Sequence, residues 1–242
     1  YSMSSKFSID INCDVGEGFG NESQLMPYIS SCNIACNAHA GSIEIIDNVI
    51  ALAKKHNVKI GAHPSFPDRE NFGRKVMNIS SEDLQESIES QIDLLIERAA
   101  LQEVKLNHIK PHGALYNQAA KDENTAKIII KAIKKTIPNA FLYVPYNSVI
   151  VEIALQNNIN IKYEAFADRN YNDDLSLVSR LKENALLTNS EEAVNHINYM
   201  IDGKVKTIQR NLKNIKADTF CVHGDTKNAV EILKTLQLSF RT

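Results

Sequence analysis

The stretch Leu106-Asn107-His108-Ile109-Lys110-Pro111-His112-Gly113-Ala114-Leu115-Tyr116-Asn117 decides how the chain is to be read. Leu106 to Lys110 is a short apolar run bounded by a proline and a glycine, as a buried strand would be, and a helical pattern follows at Ala114 to Ala120. Lys110 and His112, the residues with chemistry to offer, stand where that strand ends.

The same unit recurs on both sides. Phe7 to Asn12 reads as a first strand with Ile9 and Ile11 on one face, Asn33 to Cys36 as a second and Val58 to Ala62 as a third. The third is reached through a helix from Ile43 to His56, with Ile46, Val49, Ile50 and Ala53 at helical spacing. Ser80 to Asp83 is a capping signal for a helix carrying Leu84, Ile88, Ile92, Leu95 and Ala99 along one stripe. After the fourth strand and a helix from Glu123 to Lys135, Ala140 to Val144, Ile159 to Ala165 and Thr219 to Val222 supply strands five to seven. Asp225 or Thr226 is expected to cap the last helix. Strand alternating with helix implies a parallel sheet covered by helices. With no Pro/Ser-rich linker, residues 1–242 read as a single domain, an α/β irregular seven-stranded (β/α) barrel; an open doubly wound sheet fits the same periodicity.

A chain of 242 residues is ordinary for one such barrel. A formal charge of -2 leaves no electrostatic footprint for nucleic acid or an anionic membrane. The basic run from Lys204 to Lys216 lacks interleaved aromatics and reads as a solvated surface hairpin. There is no apolar run of roughly 20 residues and no leader pattern, so a cytoplasmic location is expected. Residues 1–6, opening Tyr1-Ser2-Met3, are expected to be a disordered remnant before the native chain. Four cysteines do not suggest a disulfide framework, and Cys32, Cys36 and His39 are wrongly spaced for a zinc knuckle; small buried thiols are expected.

The reactive residues gather at strand ends. Asp14 and Glu17 follow the first strand, His39 the second, His63 the third, Lys110 and His112 the fourth, Glu164, Asp168 and Arg169 the sixth, and His223 and Asp225 the seventh. Five of the seven histidines fall in such segments. Carboxyl ends of parallel strands are where ligands bind, because loops from distant parts of the chain converge there. Taken singly, each residue has a bland reading: Asp14 or Asp225 as a cap, Glu164 with Arg169 as a structural ion pair. Taken together they would bury many polar groups for no return. Gly16-Glu17-Gly18-Phe19-Gly20 puts acids where a phosphate loop needs amides, and neither a Walker sequence nor a nucleophile elbow occurs. What remains is acid/base or metal-assisted hydrolysis of a small polar substrate.

At these residues the chain resembles the LamB/YcsF family, which includes one component, the A chain, of the ATP-hydrolysing 5-oxoprolinase. The resemblance rests on Ile9 to Gly20, Asn33 to Gly41, Gly61-Ala-His-Pro64, Asp68 with Phe72-Gly-Arg74, His108 to Asn117, Glu164 to Tyr171 and Cys221-Val-His-Gly-Asp225. It implies a barrel akin to the glycoside hydrolase/deacetylase superfamily. It also implies hydrolysis of 5-oxoproline to glutamate, driven by ATP and shared with partner subunits B and C. On that resemblance Asp14 and His63 orient or deprotonate water with help from His39, and Lys110 and His112 stabilise an oxyanion or phosphoryl group. Arg169 holds the substrate carboxylate. Glu17, Glu164, Asp168, His223 and Asp225 shape the substrate wall or move a proton to the leaving nitrogen. Two other readings stay open: a self-sufficient metal-dependent deacetylase or amidohydrolase, with a divalent ion on Asp14, His39 and His63, and a non-catalytic small-molecule-binding subunit. The chain departs from the family pattern at Cys13, Asn37-Ala38, Ser65-Phe66 and above all Ser42, where an acid is common.

Overall fold

A computed structural model of the chain describes residues 8–240; the expected remnant at residues 1–6, and Phe7 of the first predicted strand, lie outside them. Seven parallel strands, β1 (Ile11–Val15), β2 (Ser31–Ala35), β3 (Lys59–His63), β4 (Leu106–Ile109), β5 (Phe141–Pro145), β6 (Ile161–Phe166) and β9 (Thr219–Cys221), close into a barrel in that order. Its last joint pairs β9 with both β6 and β1. The predicted surface hairpin is the antiparallel pair β7 (Lys204–Lys206) and β8 (Leu212–Asn214).

Around the barrel run α1 (Glu22–Leu25), α2 (Ile43–Lys55), α3 (Ser81–Ala100), α4 (Gly113–Ala119), α5 (Glu123–Thr136), α6 (Val149–Gln156), α7 (Ser190–Ile201) and α8 (Ala229–Ser239). Their start signals work as their chemistry dictates: Ser42, Ser80, Asp122 and Asn189 each accept a backbone N–H of the first turn. The last helix is the exception. Its cap position is Asn228, in left-handed backbone, and neither Asp225 nor Thr226 serves there, because both are engaged at the barrel mouth. No helix among the described residues is long and apolar enough to cross a membrane.

The apolar core is a shell between strands and helices. Ile11, Cys13, Ile34, Ile60, Ile109, Leu142 and Val144 point outward and pack with Ile46, Ile50, Ile88, Ile92, Ile129, Ile133 and Leu233. Alternation along each strand then turns the intervening residues into the barrel. That interior is polar: Asn12, Ser31, Asn33, His108, Tyr143 and Thr219 are all buried and joined by hydrogen bonds. The first strand therefore lies four residues beyond the predicted Phe7 start. Apolar alternation marked its outer face, but the residues that define its register are the inward Asn12 and Asp14. His108 is one layer below the strand ends, stacked on Tyr143 with ring centroids 4.0 Å apart. Its place depends on Gly61, where a Cβ would meet His108 Nε2 at 2.3 Å.

Candidate active site

Above the Asn12–Asn33–His108 layer, the strands deliver their charged residues to the mouth. Lys110, directly after β4, is buried with its ammonium 3.1 Å from Asp14 Oδ1 and 2.9 Å from Glu164 Oε2. Cys221 Sγ lies 3.2 Å from it and the Phe166 ring 5.4 Å. Burial disfavours the ammonium, yet the Asp14 carboxylate, then Cys221 and Glu164, outweigh burial and hold Lys110 well above the usual lysine range. Asp14 is likewise held well below the usual carboxylate range: burial opposes its charge, but His63 and Lys110 prevail. Asn33 Nδ2 donates to Asp14 Oδ1 at 2.9 Å and to Asn12 Oδ1 at 2.8 Å, so the interior layer orients the acid above it. Glu164 pairs with Lys110, not Arg169. It lies within β6, not after it, with Tyr116 close enough that burial and then the Glu164 charge push the phenol well up.

A second wall is made of histidines. His63 Nδ1 donates to the Lys110 carbonyl at 2.7 Å, and His112 Nε2 donates to the Phe72 carbonyl at 2.8 Å. Each ring is thereby fixed by one nitrogen and turns the other inward, and these two, His63 Nε2 and His112 Nδ1, stand 3.0 Å apart. His39 donates through Nε2 to Glu17 Oε1 at 2.9 Å and stacks on His112, with centroids 3.7 Å apart and planes within 5°. Burial, then the His63 charge, lowers His39 to about 3 and His112 to about 2. Burial opposes protonation of His63 as well, but Asp14 and Glu17 overcome it and raise its value. Glu17 is raised by burial and then by Asp14. Glu17, His39, His63 and His112 each bring one donor atom within 4.8 Å of the others. Asp14, which the deacetylase reading grouped with His39 and His63, is 3.4 Å from His63 Nε2 but is committed to Lys110 and Asn33.

The third wall comes from β6 and β9. Asp168 Oδ1 accepts from His223 Nδ1 at 3.0 Å, while Asp168 Oδ2 accepts from the His223 backbone N–H at 2.8 Å and the Thr226 hydroxyl at 2.6 Å. These donors hold the buried Asp168 below its ordinary range despite desolvation, with His223 the strongest of them. Such a carboxylate fixes the tautomer of His223 and leaves Nε2 outward, in the manner of an acid/base dyad. Arg169 is buried, donates to the Val178 carbonyl at 2.7 Å, and leaves its Nε without a partner. Asp225 sits on the rim, where Arg74 at 3.3 Å and Arg180 at 3.5 Å approach the same oxygen.

Asp14, Glu17, His39, His63, Lys110, His112, Glu164, Asp168 and His223 are thus brought together at one mouth and Asp225 sits on its rim, whereas the Arg169 guanidinium, expected to hold a substrate carboxylate, donates to the Val178 carbonyl instead. Asn12, Asn33, Tyr116, Arg74 and Arg180 were not anticipated. Asn12 could have been found from its place two residues before Asp14 on a strand, which puts both on one face; the arginines carry no such signal. The departures from the family pattern also become legible. Ser42 caps α2, its Oγ accepting the Ile45 N–H at 3.2 Å, and serine and aspartate are near-equivalent at that position. Asn37 has φ of 62°, the left-handed region that glycine or asparagine tolerates. Ser65 is buried, its N–H donating to Gln91 and its hydroxyl to the Phe66 carbonyl. Cys13, Cys32, Cys36 and Cys221 are all free, buried thiols.

The chain is similar to known proteins over almost its whole length. The A component of a 5-oxoprolinase from Bacillus cereus is 40% identical over 240 residues, covering 96% of this chain and 95% of that one. Proteins of the same name from Staphylococcus saprophyticus and Clostridium beijerinckii are also 40% identical, over 235 and 239 residues. The crystal structure of a lactam utilization protein from Thermus thermophilus superposes with a TM-score of 0.90 at 33% identity, covering 96% of this chain and 97% of that one. A structure from Enterococcus faecalis, at TM-score 0.58 and 11% identity, shares the fold alone. The LamB/YcsF profile matches residues 9–241. The chain belongs to the LamB/YcsF family.

Proposed function

We propose that this chain is the ring-opening subunit of an ATP-dependent 5-oxoprolinase, hydrolysing 5-oxoproline to L-glutamate together with partner subunits B and C. The observation that carries this reading is the buried Lys110, held charged between Asp14 and Glu164, facing the Asp168–His223 dyad across one barrel mouth. The 40% identity to relatives named as the A component of 5-oxoprolinase supports the substrate.

The chemistry follows from the electrophile. An unstrained lactam resists water, and phosphorylating its oxygen makes the ring carbon attackable. The sequence carries no phosphate loop, so the partners handle ATP and this chain receives the activated ring. Asp14, with His63 beside it, orients the attacking water. Asp14 takes the proton of that water as the carbon–nitrogen π electrons move onto the ring nitrogen, and Lys110 balances the negative charge of the phosphoryl and hydroxyl oxygens on the tetrahedral carbon. The tetrahedral species can expel phosphate, which restores the lactam, or nitrogen, which opens the ring. His223, aligned by Asp168, protonates the nitrogen and directs collapse toward opening. The acyl phosphate that remains is hydrolysed to glutamate and inorganic phosphate. Arg74 and Arg180, both drawn to one oxygen of Asp225, form the cationic rim through which an anionic substrate enters.

The test is glutamate release from 5-oxoproline and ATP, with and without the partners. Release that needs ATP, the partners and this chain supports the reading. No release from the full mixture refutes it, and ATP-independent hydrolysis of an acetamido substrate by this chain alone replaces it with the deacetylase reading.

A further inference from the structure

Three atoms of the histidine wall define a triangle. His63 Nε2 and His112 Nδ1 are 3.0 Å apart, His112 Nδ1 and Glu17 Oε1 are 3.4 Å apart, and His63 Nε2 and Glu17 Oε1 are 3.8 Å apart. The nearest point equidistant from all three, in the plane they define, lies about 2.0 Å from each, and points slightly out of that plane stay within the usual 2.0–2.2 Å bond lengths of zinc to imidazole nitrogen and carboxylate oxygen. The other nitrogen of each ring is spent on a backbone carbonyl, of Lys110 and of Phe72, which fixes the tautomer that leaves the inner nitrogen able to ligate. Two ring nitrogens at 3.0 Å with both lone pairs turned inward need a cation between them, whether a proton or a metal.

His39 plays a different part. Its plane is parallel to that of His112 at 3.7 Å, so one ion cannot lie in both ring planes. Its Nε2 instead donates to Glu17 Oε1, holding the carboxylate in the triangle as an outer partner. We infer that Glu17, His63 and His112 form a site for one divalent transition-metal ion, with His39 positioning Glu17. Two imidazoles and one carboxylate suit zinc, iron, cobalt or nickel, and not calcium or magnesium, which take oxygen ligands. Three protein ligands leave the open position typical of catalytic rather than structural sites. Asp14, 3.4 Å from His63 Nε2, flanks that position. A metal there would acidify a bound water. The inference concerns ion binding alone and goes beyond the ring-opening reading.

Its test needs neither ATP nor partners. The purified full chain is stripped with chelator, dialysed against Co²⁺ or Zn²⁺, and assayed for stoichiometry by elemental analysis, for affinity by calorimetry and for the Co²⁺ ligand-field spectrum. The expected result is one equivalent per chain with a visible Co²⁺ band. Glu17→Gln, His63→Ala and His112→Ala should each weaken affinity at least 100-fold, and His39→Asn about 10-fold. Circular dichroism of each stripped variant establishes folding, and two folded ligand variants suffice for the comparison. Less than a tenth of an equivalent in the native chain, or undiminished binding in folded His112→Ala and Glu17→Gln proteins, would overturn the site. Loss in His39→Asn equal to that in His112→Ala would overturn the division of roles. Failure here leaves the glutamate-release assay standing as a separate result.

Discussion

Lys110→Met keeps the length of the side chain and deletes its charge. In the native chain the ammonium sits 2.9 Å from Glu164 and 3.1 Å from Asp14, with all three groups nearly inaccessible. At an effective dielectric of about 20 each contact is worth roughly 5 kcal/mol of attraction, most of it offset by the desolvation of three ions. Deleting one partner removes the attraction but leaves the desolvated carboxylates facing each other, and such losses run at about 3–5 kcal/mol. For a urea slope near 3 kcal/mol/M, the midpoint should fall by about 1 M or more. The chain has no tryptophan, so far-ultraviolet circular dichroism is the probe. Adding Glu164→Gln removes one stranded charge and should return about 2 kcal/mol, a coupling that a double-mutant cycle isolates. A Lys110→Met protein that unfolds within about 0.5 M of the native midpoint, or a double variant no more stable than the single one, would refute the claim that this lysine is held by its two acids.

Asp168→Asn keeps shape while removing the charge that orients His223; kcat in the reconstituted assay should drop roughly 100-fold or more with KM little changed, and an unchanged kcat would remove the dyad from the mechanism. Ser42→Ala should cost about 1 kcal/mol in chemical denaturation, whereas Ser42→Asp should preserve both stability and turnover; a large change in KM for Ser42→Asp would show that the position meets substrate. His196 is buried beside Tyr171, where desolvation lowers it to about 4. The unfolded chain takes up that proton near 6.5, before the folded one can, so stability present above pH 6.5 declines as pH falls toward 4, by up to about 3 kcal/mol. His196→Gln should flatten that part of the stability–pH curve, and an unaltered curve would show that other groups produce it.

Much of the fold was legible because each barrel unit advertises itself locally. Ser80 caps where its side-chain oxygen meets a free amide, and the apolar stripe of α3 follows from helical period alone, whereas the Asp122 and Asn189 caps, equally local, were not read from the sequence. What misled was the first strand and the last cap. Ile9 and Ile11 do share a buried face, but the strand runs on past the inward Asn12 through Asp14 to Val15, and an apolar pattern breaks at those polar residues, so the predicted bounds fell too early. Asp225 and Thr226 look like caps in isolation; Arg74, Arg180 and Asp168, distant in sequence, claim them instead.

The candidate site divides in the same way. From the sequence alone came the barrel class, the placing of Asp14, His39, His63, Lys110 and His223 at successive strand ends, and the family. These follow from the order of residues along one strand or loop, where short-range geometry is nearly invariant. Which charges pair was decided only in three dimensions. Glu164 meets Lys110 rather than Arg169, Glu17 rather than Asp14 completes the histidine triangle, and Asn33 reaches Asp14 from the neighbouring strand. Closure of the barrel brings β9 against β1 and sets the register between strands, and distances between side chains more than a hundred residues apart depend on that register, which no local pattern encodes.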